Sequence, residues 1–388
     1  MDKPYYPFNA IASIEALART LGIHPKLLCS IADKVESSYS TYDLANKNRT
    51  VFEPKYELKK IQKRINSRIF EKVEYPLYLQ GGIKSEVKRD YVENAKIHSH
   101  AETLISLDIK KFYTNIKADK VFSVFKYFFK FPDDVSTILT TLTTYRGRVP
   151  QGGCTSSYLA NLVFFNSEYS LVSAFRGKDV KYSRLLDDVT LSSEKNLDSI
   201  KCTNLIKNVV ALFRSYELRL NTKKTKIEYR GKANKGFEVT GLWVEHKKPK
   251  VRRKERRYIR QLVYNCELQY NDRKTNSEYH ELWNKTSGKV AKLVRLDHSQ
   301  AKNLRERLRL VLPQYDNNTA YKLKKLTNKS LQVPKEHHQK IGRIRDYNRL
   351  IFKLGILKRS HPALAKVLIK KLKSHYLNVP TNKEYWLE

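Results

Sequence analysis

Acidic side chains are scarce for so charged a chain: its 388 residues hold 39 Asp and Glu against 76 Lys and Arg, a formal net charge of +37. That imbalance excludes an ordinary near-neutral enzyme of small metabolites and points to a polyanionic partner, nucleic acid or an anionic membrane surface. Long apolar runs are also missing. No stretch approaches the roughly 18 consecutive apolar residues of a membrane span, so the expectation is no membrane partner. The segment Met1-Asp2-Lys3-Pro4-Tyr5-Tyr6 lacks a basic stretch followed by an apolar core, which predicts no secretory signal. The four cysteines, Cys29, Cys154, Cys202 and Cys266, are far apart with no CxxC pair, so neither a zinc site nor a disulfide framework is expected and a reducing cytoplasm fits. What the chain has in quantity is aromatic side chains, 25 Tyr, 15 Phe and 3 Trp, too many for a disordered basic tail.

Residues 1–48 read as a helical N-terminal extension. Ile14, Leu17, Ala18 and Leu21 recur at helical spacing between a Ser13 cap and a Gly22 stop, and Pro25 opens a second stretch with Leu27, Leu28, Ile31 and Ala32. Such a pair reads either as a DNA-reading helix-turn-helix or, more commonly, as a packing appendage. Residues 54–72 predict a basic helix with Leu58, Ile61, Ile65 and Ile69 inward and Lys59, Lys60, Lys63 and Arg64 mostly outward. Gly81-Gly82 marks a turn, 103–109 an apolar strand, 120–145 helix, and 181–193 a strand, turn and strand; 236–244 reads as a further β segment and helical patterns dominate from about 251. There is no internal repeat or low-complexity tract. Residues 291–388 hold 23 Lys and Arg against seven Asp and Glu, which favours a nucleic-acid track over a merely solvated face.

The chemistry-bearing residues are carboxylates at the ends of apolar β segments: Asp108 in Leu107-Asp108-Ile109, and Asp187-Asp188 after Leu185-Leu186. Hard oxygen donors on neighbouring strands suit Mg²⁺, and two such ions can activate a hydroxyl and stabilise a leaving pyrophosphate. Taken alone, an Asp-Asp pair is more often an ordinary hairpin turn.

The order of segments changes that reading. Leu107-Asp108-Ile109-Lys110-Lys111-Phe112-Tyr113 is followed by Pro150-Gln151-Gly152-Gly153-Cys154-Thr155-Ser156-Ser157 with Asn161, then Asp187-Asp188, Leu220-Asn221-Thr222-Lys223-Lys224-Thr225-Lys226 and Val239-Thr240-Gly241-Leu242-Trp243-Val244. The chain thereby resembles a reverse transcriptase from about residue 49 to 260. Asn94-Ala95-Lys96-Ile97-His98 and Val239-Thr240-Gly241 resemble signatures of retron and related bacterial defence-associated enzymes. One departure is Leu185, where the family usually has Tyr.

The resemblance implies an α+β right-hand polymerase with an antiparallel palm sheet: fingers and palm over 49–244, a thumb over 245–300 and a basic helical C-terminal extension over 301–388. It places two Mg²⁺ ions on Asp108 and Asp187, with Asp188 a weaker ligand or an orienting group and the Ile109 carbonyl completing a shell. Tyr113 falls where the family places the ring under the incoming sugar, the alternative being plain core packing; Gln151 and Gly152 are expected to line the nucleotide pocket, and Lys84, after the Gly81-Gly82 turn, to reach the triphosphate. Lys224 reads as the acid for the leaving pyrophosphate, as a phosphate binder or as a plain surface charge; Trp243 as a primer contact or as core; His98 as a structural hydrogen-bonding residue. Leu185 and Gly241 fall beside the primer. The expected partners are dNTP, an RNA template, a DNA product, a cognate non-coding RNA and an effector or partner protein, in antiphage defence. The alternatives are a non-retron defence enzyme making repetitive or untemplated DNA, and a non-catalytic RNA-binding protein, against which the three intact carboxylates argue.

Overall fold

A computed structural model describes residues 2–44, 49–232 and 236–387. The chain divides into two compact units, Met1–Lys250 and Val251–Glu388.

The first unit begins with α1 (Ile14–Leu21) and α2 (Pro25–Asp33). Ser13 caps α1, its hydroxyl accepting from the Ala16 N–H at 3.2 Å. The apolar faces of both helices, Leu17, Ala18, Leu21, Leu28, Ile31 and Ala32, are buried in the main core, so the pair packs as an appendage. The helical reading of 1–48 is corrected at its end. Tyr39–Leu44 is a strand, β1, paired antiparallel with β2 (Arg49–Pro54), and a boundary at 48/49 falls inside that hairpin. Its Tyr-Ser-Thr-Tyr opening has the aromatic and β-branched character of a strand. α3 (Tyr56–Arg68) buries Leu58, Ile61 and Ile65 as expected. Arg64 does not point outward: it is buried, donating to the Leu21 and Gly22 carbonyls at 3.0 and 2.7 Å and closing the C-terminus of α1.

After β3 (Leu79–Gln80) and α4 (Tyr91–Ile97) comes β4 (Thr103–Asp108). α5 (Phe112–Asn115), α6 (Ala118–Ser123), a π-turn at Val124–Phe128 and α7 (Asp133–Thr143) lead to α8 (Ser156–Leu162) and α9 (Glu168–Arg176). β5 (Val180–Leu185) and β6 (Asp188–Ser193) form a hairpin, followed by α10 (Ser199–Ser215) and β7 (Lys226–Tyr229). The five-stranded sheet runs in the order β3, β5, β6, β4, β7. It is antiparallel except that short β3 joins β5 in parallel, which corrects the all-antiparallel expectation. The β segment expected at 236–244 is a small separate hairpin, β8 (Glu238–Val239) and β9 (Leu242–Trp243). Thr240 (φ 47°) and Gly241 (φ 78°) form its turn, both left-handed as a tight hairpin requires.

The second unit is helical: α11 (Arg253–Arg273), α12 (Ser277–Arg295), α13 (Ala301–Leu310), α14 (Asn317–Leu331), α15 (Ile341–Leu357), α16 (Pro362–His375) and α17 (Asn382–Leu387). It has two apolar clusters. One joins α11 to α13 through Ile259, Val263, Tyr279, Val290, Leu293 and Leu304. The other joins α14 to α16 through Leu323, Leu354, Leu357, Leu368 and Leu372. Among the described residues no helix is long and apolar enough to cross a membrane. All four cysteines are free.

Candidate active site

The sheet register brings the three carboxylates together. Asp108, last residue of β4, lies opposite Asp188, first residue of β6, and Asp187 occupies the turn between β5 and β6. The Ile109 N–H donates to the Asp187 carbonyl at 2.9 Å, tying the end of β4 to that turn. Asp108 is buried and accepts from Asn221 Nδ2 at 2.9 Å and from Lys224 Nζ at 2.5 Å. The Asn221 N–H also donates to the Asp108 carbonyl, at 2.8 Å. Residues 221–224 are therefore held against the β4 end by main chain and side chain together.

The crowding has electrostatic consequences. Burial and the Asp108 charge push the Asp187 carboxyl above its ordinary range, with Lys224 and Arg49 pulling the other way. Asp188, whose surface stays open to solvent, is raised to about 6 by loss of water at the crowded hairpin end and by the charges of Asp187 and Asp108. The hydrogen bond to Asp108 raises the Lys224 ammonium in turn. Burial and the Asp187 charge lift the Tyr113 phenol to about 12, so its ring lies within the field of the same group.

A cluster of carboxylates short of positive charge is what a hard divalent ion relieves, and the donor chemistry fits Mg²⁺. Among the described residues no group of three or more His, Cys, Asp or Glu side chains closes around a single point, and Lys224 holds one Asp108 oxygen in this arrangement.

The loop at Gln151 and Gly152 lies under the β1–β2 hairpin. The Phe52 N–H donates to the Gln151 carbonyl at 2.8 Å. Gly152 (φ 108°) has no room for a side chain: a Cβ there would lie 2.5 Å from Val51 Cγ1 and 3.0 Å from the Phe52 oxygen. The hairpin also carries Arg49, the cation acting on Asp187 that sequence reading missed. Its only signal was a basic residue opening a short β-prone run, Arg49-Thr50-Val51-Phe52.

The Lys84 ammonium is ion-paired with Glu71, and the Lys84 backbone N–H donates to the Tyr158 hydroxyl at 3.3 Å. Leu185 is half-buried and leans on Gly81, where a Cβ would come within 2.9 Å of Leu185 Cδ1. Gly241 turns the β8–β9 hairpin, and Trp243 stacks edge-on against His246 at 4.7 Å. One short retron-like signature touches the helix that holds the other: the Thr240 hydroxyl donates to the Tyr91 carbonyl at the start of α4, which carries Asn94. His98, just past that helix, is fully buried between Ser183 and Ser192 at 2.7 Å from each.

The three carboxylates thus meet at one end of the sheet, with the Tyr113 ring in the field of Asp187. Residues 38–259 match the family model described as reverse transcriptase (RNA-dependent DNA polymerase). The chain belongs to the reverse transcriptase family and is an RNA-directed DNA polymerase. Its branch is that of the retrons. It is 43% identical over 379 residues to the retron Se72 reverse transcriptase of Salmonella heidelberg (strain 579083-10), covering 96% of this chain and 98% of that one. It is 32% identical over 326 residues to the retron Ec48 reverse transcriptase of Escherichia coli, covering 80% and 79%. Among solved structures, a telomerase from Candida albicans aligns over 92% of this chain and 56% of that one at 12% identity, with a TM-score of 0.33, too slight a likeness to build on.

Proposed function

We propose that the protein copies a small structured non-coding RNA into DNA as a retron enzyme, using two Mg²⁺ ions. The observation that carries this reading is the crowding of Asp108, Asp187 and Asp188 at one end of the sheet, where the latter two have raised pKa values. Asp108 and Asp187 would hold the ions, with Asp188 and the Ile109 carbonyl at the margin; bound there, the ions neutralise the triphosphate and make the primer 3′-hydroxyl easier to deprotonate. Tyr113 closes the space beside the sugar at C2′, selecting deoxynucleotides. Gln151 and Gly152 form the floor of the nucleotide pocket, with Arg49 above them supplying positive charge to the triphosphate. Lys224, beside Asp108, would supply the proton to the leaving pyrophosphate.

In the same reading the first unit carries fingers and palm, with Gly241 and Trp243 gripping the primer beside Leu185. Residues 245–300 form the thumb and 301–388 the C-terminal extension, both offering Lys and Arg to RNA. A cognate non-coding RNA, an effector or partner protein and a role in phage defence follow from the resemblance to retron and defence-associated enzymes alone.

The test is primer extension by purified Asp187→Asn and Asp108→Asn proteins. Both should lose dNTP incorporation by at least about three orders of magnitude, as expected when preorganised charge is removed from a transferring phosphoryl group. RNA binding, carried by Lys and Arg, should persist. Robust extension by Asp187→Asn would remove the two-metal assignment.

A further inference from the structure

Arg184, one residue before Leu185 on β5, is wholly buried, at 0% exposure. A guanidinium withdrawn from water is costly unless it is paired and its donors are satisfied. Its Nε donates to Glu168 Oε1 at 2.6 Å, and one terminal nitrogen donates to Glu168 Oε2 at 2.8 Å and to the Asn161 carbonyl at 3.0 Å. The other donates to the Ala160 carbonyl at 2.9 Å and the Leu186 carbonyl at 3.3 Å. Glu168, 2% exposed at the head of α9, also accepts from the Tyr182 hydroxyl at 2.6 Å. The guanidinium lies over the Phe164 ring, 5.1 Å from its centre.

These partners come from both halves of the site. Ala160 and Asn161 belong to the last turn of α8, the helix that begins four residues after Gly152. Leu186 opens the turn that carries Asp187 and is left-handed (φ 60°), a conformation that a side chain with a Cβ resists and that needs holding from outside. Buried ion pairs can often be replaced by apolar side chains at no loss of stability. Such side chains offer nothing to three carbonyls from two elements, and a planar fork does.

We infer that Arg184, anchored by Glu168, is a positioning residue for polymerisation, fixing the spacing between the Leu186-Asp187 turn and the nucleotide loop at Gln151 and Gly152 through helix α8. The inference rests on the reading of Asp187 and of that loop proposed above. Lysine at position 184 keeps the charge next to Glu168 but loses the fork, so the carboxylate turn and α8 become free to shift against each other.

The experiment is pre-steady-state incorporation of one nucleotide on a short primer–template by wild-type, Arg184→Lys and Glu168→Gln proteins. Burst amplitude counts the competent molecules, and burst rate at saturating dNTP reads their geometry. Small misplacements of reacting groups cost orders of magnitude in rate. For Arg184→Lys the rate should therefore fall at least about tenfold while the dNTP concentration at half-maximal rate changes by less than about threefold. Glu168→Gln leaves the carbonyl contacts and removes the anchoring charge, and its rate should fall by about threefold. A purely structural role would lower the amplitude and leave the rate of the remaining molecules unchanged, and that result would overturn the inference. If Arg184→Lys yields no folded protein, the same two numbers for Glu168→Gln decide. A wild-type protein that incorporates no nucleotide at all would instead overturn the proposed chemistry.

Discussion

Two side chains within electrostatic reach of Asp187 are assigned opposite tasks, exclusion and attraction. The Tyr113 ring is half-buried, and its phenol lies in the Asp187 field. Replacing it with Val removes ring volume beside the sugar. The ratio of kcat/KM for dNTP over rNTP should drop by at least about tenfold, the scale on which steric pockets discriminate; an unchanged ratio would move the sugar gate elsewhere. Arg49 acts at long range, its charge favouring the Asp187 carboxylate. Arg49→Ala should raise the KM for dNTP by about tenfold, matching the loss of one charge-assisted contact to phosphate, with a smaller change in kcat. Measuring both constants on one template tests it, since a change confined to kcat would place Arg49 away from the triphosphate. The convergence of Asp108 with Asp187-Asp188 was legible in the sequence because Asp108 ends one β segment and the pair sits at the turn of a strand–turn–strand segment. Arg49 and Arg184 were not: nothing local separates a cation that reaches a distant carboxylate, or one buried under a turn, from 74 others of the same sign.

At the scale of elements, the β5–β6 hairpin is pinned from below by the His98 cluster. Ser183 spends its proton on Asn94 Oδ1, so His98 Nε2 must donate to Ser183, and Nδ1 is left to accept from Ser192. This arrangement requires a neutral ring. Burial, with the nearby Lys181 charge, depresses the His98 pKa to about 3. In the unfolded chain the ring takes up a proton below about pH 6.5. The folded state therefore has its full stability above pH 6.5 and loses it as pH falls toward 3. Between pH 7 and 5 this one group removes about 2 kcal/mol. His98→Gln should be less stable than wild type at pH 7, and the gap should narrow by about that amount at pH 5. Urea denaturation at the two pH values checks this, and parallel profiles would contradict it. The sequence showed Asn94 and His98 four residues apart, but their partners lie on β5 and β6, some 90 residues away. The β1–β2 hairpin was hidden for a related reason: its pairing and its contact with Gln151 are tertiary, while its flanks carry strong helical periodicity. Parallel pairing of β3 with β5 rests on two residues and leaves no periodic trace.

For the whole molecule, the net charge of +37 dominates. Lys322, Lys324 and Lys325 on α14 and Lys370 on α16 are all exposed. RNA affinity should fall steeply with salt, and reversing these four to Glu should flatten the slope of log affinity against log salt by about 2 to 3, since each lost phosphate contact removes roughly 0.7. Filter binding across a salt series measures it; an unaltered slope would make this surface a solvated face. The positive imbalance and the helical character beyond residue 251 were legible from composition and periodicity. The grouping of those helices into two clusters was not, because it depends on which apolar stripes face each other.

The sheet order has a further consequence, for how the chain comes off the ribosome. β3 finds its partner only at Val180–Leu185, and β4 is enclosed only once Lys226–Tyr229 has been made. Until then the strand bearing Asp108 has an unpaired edge, the kind of surface that recruits other chains. The helices after Val251 draw their contacts from near neighbours and settle quickly once translated. The slow, association-prone interval of biogenesis thus falls between synthesis of residue 108 and residue 229, and nascent chains stalled inside that window are the ones that depend most on chaperones.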